Sequence, residues 1–109
     1  MKLIKAYIHQ IRTSAVVEAL ADAGYRNLAL LEVKGTVKPL SDDERYYSSG
    51  GAGLLIGEVR LELVCEHNEA DIVVSLIRTH GRIGLPVSGW IYVSSIDQAI
   101  PIGGDPVPA

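Results

Sequence analysis

The sequence predicts an α+β sandwich with the element order βαββαβ. Three observations carry that prediction. Four short stretches read as strands, two of them with apolar and polar residues alternating, two further stretches carry an apolar stripe at helical spacing, and the six follow one another within 109 residues. In the first stretch, Lys2 to His9, Ile4, Ala6 and Ile8 point one way and Lys5 and Tyr7 the other, as in a strand with one buried face. Gln10 to Arg12 turn the chain, and Thr13 or Ser14 is placed to cap a helix by accepting a bond from a free backbone N–H. Val16, Leu20 and Ala23 then recur at i, i+4 and i+7 beside Val17 and Ala19, while Glu18 and Asp22 face out. Gly24 stops this helix, because glycine takes the left-handed conformation without steric cost.

The second strand runs from Leu28 to Gly35, with Leu28, Leu30 and Glu32 on one face and Ala29, Leu31 and Val33 on the other. A long polar excursion, Thr36 to Ile56, separates it from a third strand, Gly57 to Val64. Val59, Leu61, Leu63 and Cys65 share one face there, and Arg60, Glu62 and Val64 the other. Asn68 is placed to cap the second helix, with Asp71 three residues on able to reach back; Ile72, Val73, Leu76 and Ile77 form its apolar stripe. Gly81 and Gly84 break it, Leu85 to Ser88 form a short loop, and Trp90 to Val93 make the fourth strand. Ser95 to Ala99 is read as one helical turn, and the tail from Pro101 to Ala109 as loose. This order is the ferredoxin-like, split βαβ arrangement, with both helices on one face of an antiparallel sheet. The other face then carries Tyr7, Leu31, Val33, Val64, Trp90 and Tyr92, too apolar for a monomer in water, so a closed ring of identical subunits is expected to bury it.

The totals set bounds. One domain, residues 1–109, with one largely aliphatic core is expected, since Phe is absent and Trp occurs once. No apolar run approaches the roughly 20 residues a membrane span needs, and the N-terminus lacks a signal-peptide layout, so the expected location is cytoplasmic. A net charge of −3 argues against a surface that neutralises nucleic-acid phosphates, and no nucleic-acid partner is expected. The polar excursion is too long for a hairpin turn of about 2–5 residues; in so small a chain such a loop points to function or disorder. No Ser-His-Asp or paired-carboxylate arrangement can be located, so no catalytic residue is expected.

From Glu32-Val33-Lys34-Gly35 onward the chain resembles the P-II family of nitrogen-regulatory signalling proteins. Met1 to Ala6 looks like that family's first strand, and Val17 to Gly24 like its first helix and stop. The excursion, about 36–56, sits where the family carries its T-loop, and Arg60 to Val64 resembles the strand after it. Gly84 to Gly89 falls at the B-loop, and Ile91-Tyr92-Val93 with Gln98-Ala99-Ile100 at the last strand and C-loop. The resemblance implies a non-enzymatic homotrimer that binds adenine nucleotide between subunits and signals through its T-loop to a partner protein. The T-loop text and Pro86 to Val93 look like the branch associated with inorganic-carbon uptake and carboxysome gene clusters. That branch implies ADP or AMP with bicarbonate as ligands and a membrane transporter or carbon-metabolism protein as partner.

On this resemblance the nucleotide-binding residues are Gly35, Thr36, Lys38, Glu62, Leu63, Val64, Gly84, Pro86, Val87, Ser88, Gly89 and Trp90. Each has a plainer reading. Gly84 and Gly89 also make an ordinary turn into strand four, Thr36 and Lys38 a solvated strand end, and Glu62 and Val64 subunit packing. Trp90 reads as an interface or cleft-wall aromatic. The departures from the family bear on the ligand. Trp90 stands where ATP-binding members have lysine, and Ile100-Pro101-Ile102-Gly103 carries no arginine. Each missing cation removes a charge-assisted contact to phosphate, which favours ADP or AMP over ATP. Arg82 is a candidate for partial compensation.

Other readings are weaker. Cys65 and His67, with His9 and His80 elsewhere, admit a metal-linked P-II-like or CutA-type trimer, but a metal site needs three or four converging ligands, and no metal residues are assigned. An amino-acid-binding module of the ACT type shares the topology but has a short central hairpin. An RNA-recognition module lacks its stacking aromatics here.

Overall fold

A computed structural model describes residues 1–35, 56–84 and 86–104. The elements are β1 (Lys2–His9), α1 (Thr13–Asp22), β2 (Ala29–Gly35), β3 (Ile56–Cys65), α2 (Ala70–His80) and β4 (Gly89–Ser95). The sheet is fully antiparallel in the order β2-β3-β1-β4, so the predicted ferredoxin-like βαββαβ order is the observed one. Most of the long excursion, including Thr36 and Lys38, lies outside the described residues, as do Leu85 and the last part of the tail.

Register decides which side chains share a face. Ile4 pairs with Leu63 and Val93, and Ala6 with Leu61 and Ile91, so the central strands β1 and β3 point their apolar residues the same way. The helices close over them: Val16 and Leu20 of α1 and Ala70, Val73 and Ile77 of α2 join Ile4, Ala6, Ile8, Leu61, Leu63 and Cys65 in one core. Fully burying side chains of this size stabilises by about 1.5–3 kcal/mol each, and that burial fixes the register. Ala23 and Ile72, assigned to the helix stripes from sequence, are exposed instead. The stripe of α2 is centred on Ala70, Val73 and Ile77, and Ile72 lies about 100° round the helix from Val73.

The helix ends depart from the predicted capping. A 3₁₀ turn, Gln10–Arg12, leads into α1, and neither Thr13 nor Ser14 is the cap: Arg12 holds that position without a side-chain cap bond. His9 caps the turn instead, its Nδ1 accepting from the Ile11 N–H at 3.2 Å. A second 3₁₀ turn, His67–Glu69, leads into α2, so Asn68 lies within that turn and forms no capping box with Asp71. The end of α1 is as expected. Tyr25 donates to the Leu20 carbonyl at 2.8 Å and Gly24 to Ala21 at 3.0 Å, a Schellman closure around Gly24. No helical turn forms over Ser95 to Ala99. Ser95 is the last residue of β4, and the Ile96 N–H is engaged across the sheet with the Met1 carbonyl at 3.1 Å.

The face away from the helices carries the predicted residues. Leu31, Val64, Trp90 and Tyr92 are exposed and Tyr7 and Val33 half-buried. Tyr7 and Tyr92 meet edge to face with ring centroids 6.0 Å apart. The same face carries charges on β3, with Arg60 Nε 3.1 Å from Glu62 Oε1. No helix of the described residues is long and apolar enough to cross a membrane.

Candidate functional site

Nine of the twelve predicted site residues fall into two separate cavities. The first, about 590 Å³, is lined by Gly84, Pro86, Val87, Ser88, Gly89 and Trp90, with Tyr7, Arg78 and Arg82 around them. It forms because α2 ends at His80 and the chain must then return to the β4 edge. Arg12 holds that helix end, its Nε–H donating to the His80 carbonyl at 2.8 Å. Ser88 folds the loop on itself by accepting from the Ile83 N–H at 3.1 Å. Gly84 sits at φ +86°, and a Cβ on Gly89 would overlap the Tyr7 carbonyl oxygen, so glycine is required at both ends of the loop. The wall is a close-set backbone with two guanidinium groups beside it, a suitable surface for an anion.

The second cavity, about 670 Å³, is lined by Leu3, Arg26, Asn27, Leu28, Ala29, Glu62, Leu63 and Val64. It lies at the opposite corner of the sheet. Trp90 pairs with Tyr7, whereas Val64 pairs with Leu3. Those two β1 positions are about 13 Å apart along the strand. The first cavity opens on the β4 edge and the second on the β2 edge, the two outer strands. A single chain therefore does not bring the two sets of residues together. Gly35, the last residue of β2, lines neither cavity. Arg78 and Arg26 escaped the sequence reading, since a basic residue in a last helical turn complements the helix dipole and one in a loop reads as solvated.

Two titratable groups on β3 are shifted. Burial pushes the Cys65 thiol up, and the Glu69 and Glu66 carboxylates add to it, against the lowering effect of the N-terminal ammonium. Burial also pushes the Glu58 carboxyl up, against a lowering effect from His9. Cys65 faces the core while His67 is exposed, and among the described residues no three His, Cys, Asp or Glu side chains converge as a metal site would require.

The family model described as nitrogen regulatory protein P-II matches residues 1–105. The chain belongs to the P-II family. Similar proteins include a nitrogen regulatory protein P-II of Rhodobacter capsulatus, 33% identical over 102 residues that span 94% of this chain and 91% of the relative. One of Microchaete diplosiphon is 30% identical over the same shares. A nitrogen fixation nifHD region glnB-like protein 1 of Methanococcus maripaludis is 32% identical over 91% of this chain and 90% of its own. As a P-II protein the chain is a regulatory signalling protein, and its two cavities stand at the positions where the resemblance put the B-loop and the strand after the T-loop.

Proposed function

We propose that this P-II protein is a trimeric sensor that takes ADP or AMP in the seams between subunits, with bicarbonate near the T-loop root, and controls a partner protein through that loop. The observation that carries the reading is the split site. A ring built from one repeated contact joins two different patches of the same chain. The β4 corner, with Gly84 to Trp90, and the β2 corner, with Glu62 to Val64, are such a pair. Bringing them together also covers exposed Trp90 and Val64.

Charge supports the ligand class. The two corners offer Arg78, Arg82 and Arg26, while Ile100 to Gly103 bring no cation. That set suits one or two phosphates better than three. Bicarbonate and an inorganic-carbon transporter as partner follow the branch resemblance in the T-loop text. Isothermal titration of the full chain with AMP, ADP and ATP tests the ligand reading. Micromolar binding of AMP or ADP with weaker ATP is expected; tight ATP binding with no response to AMP or ADP contradicts it.

A further inference from the structure

The 3₁₀ turn between β1 and α1 reaches both the wall of the first cavity and the start of β3. Its last residue, Arg12, donates from Nε to the His80 carbonyl at 2.8 Å. His80 ends α2, and Arg78, Gly81 and Arg82 on either side of it line the first cavity, while Arg12 itself does not. The first residue of the turn, Gln10, lays its side-chain amide over Gly57, so close that a Cβ there would stand 2.7 Å from Gln10 Oε1. The turn between these two contacts is tied to itself. His9 Nδ1 accepts the Ile11 N–H at 3.2 Å, and the Thr13 N–H donates to the Gln10 carbonyl. A short element closed in this way shifts as a unit. Register sets the distances. Gly89, Ile8 and Val59 stand side by side on β4, β1 and β3, which puts the strand wall of the cavity two strand spacings, about 10 Å, from Val59. The second cavity meets β3 at Glu62 to Val64, at least about 17 Å along the strand from Gly57.

We propose that Arg12 is a positioning residue that couples the first cavity to the start of β3 within one chain. A change at the end of α2 passes from the His80 carbonyl to Arg12, through the turn to Gln10, and so to Gly57, where the chain re-enters the sheet. An anion held beside Arg78 and Arg82 draws on both guanidinium groups and shifts the helix end that lies between them. On the reading above two chains share each site, yet its effect is routed to the strand start of the chain that supplies the β4 corner. The ligand part of this inference rests on the nucleotide reading; the bridge itself does not.

A double-mutant cycle on the full, ligand-free chain tests the bridge. Ser88→Ala removes the acceptor for the Ile83 N–H and loosens the cavity loop. Amide hydrogen exchange at Gly57 and Glu58 is read relative to Leu61 and Leu63, whose amides report the whole fold, so a general loss of stability cancels. Ser88→Ala is expected to lower that relative protection by roughly twofold or more in the parent, and to leave it unchanged in an Arg12→Ala background. Arg12→Lys, which keeps a donor, is expected to restore part of the response. Gln10→Ala, which breaks the other contact and leaves the one at His80, is expected to abolish it. No response in the parent, an equal response without Arg12, or a Gln10→Ala chain that responds like the parent would each overturn the bridge. The same amides are then compared with and without saturating AMP. A change in the parent that disappears in Arg12→Ala is expected; binding without any change, or a change that persists without Arg12, overturns the proposal. Failure of AMP and ADP to bind in calorimetry counts against the nucleotide reading alone, and the ligand-free cycle still decides the bridge.

Discussion

Substituting Gly89 by alanine probes the corner on which the proposed site depends. Gly89 is the first residue of β4 and pairs with Ile8, and its Cα faces the Tyr7 carbonyl so closely that an added Cβ would overlap that oxygen. The obstacle is backbone on a central strand, so it has no rotamer by which to move aside. The start of β4 must retreat by about 1 Å to recover ordinary van der Waals separation. That retreat breaks about two ladder bonds, at a net cost of about 0.5–1.5 kcal/mol each. Gly89→Ala should therefore lose roughly 1–3 kcal/mol of stability. In a chain of this size that lowers the melting temperature by about 5–15 °C. Thermal melting followed by circular dichroism, checked by urea titration, measures it. The same retreat displaces Trp90 and the cavity wall, so nucleotide affinity should fall in the fraction that remains folded. A variant within about 0.5 kcal/mol of the parent would refute the reasoning, because it would show slack in the β4 start.

Other outcomes follow from the same contacts. Arg12→Ala removes the donor to the His80 carbonyl and should cost about 1–2 kcal/mol, with Arg12→Lys recovering part of it; equal stability of both variants and the parent in urea titration would deny the contact a role. The raised Cys65 thiol has less thiolate at pH 8 than a free cysteine, so iodoacetamide should modify the native protein slowly and speed up as pH rises or as denaturant exposes the residue; rapid native labelling at pH 8 would contradict its burial. Leu61→Ala, at a fully buried position between β1 and β2, should cost about 2–5 kcal/mol by urea titration; a loss under 1 kcal/mol would mean the core collapses readily around it.

The fold was legible because its signals are periodic. Ile4, Ala6 and Ile8 on β1, and Val59, Leu61, Leu63 and Cys65 on β3, alternate without a break, and a slip of one residue would turn each set outward. What escaped was local chemistry without a period. Thr13 and Asn68 are good caps by residue type, but 3₁₀ turns carry the chain into both helices and leave no place for them. Ile72 has the composition of a core residue and the angular position of a surface one. At the candidate site, Gly84 to Trp90 stood out through glycine spacing and family resemblance, whereas Arg78 and Arg26 looked like ordinary surface cations. Glu58 was invisible for a different reason. Alternation places it on the open face, and nothing in the pattern reports that the sheet end buries it.

The most direct test of the account asks whether two chains build one site. Trp90→Ala disables the β4 corner and Glu62→Ala the β2 corner, so each variant alone should lose AMP or ADP binding. If each site spans a seam, unfolding and co-refolding the two in equal amounts regenerates about one intact site in four. Titration calorimetry of the mixed sample should then recover that fraction at the parent's affinity. Recovery of no sites from the mixture, with each variant folded, would place the whole site within one chain and contradict the account.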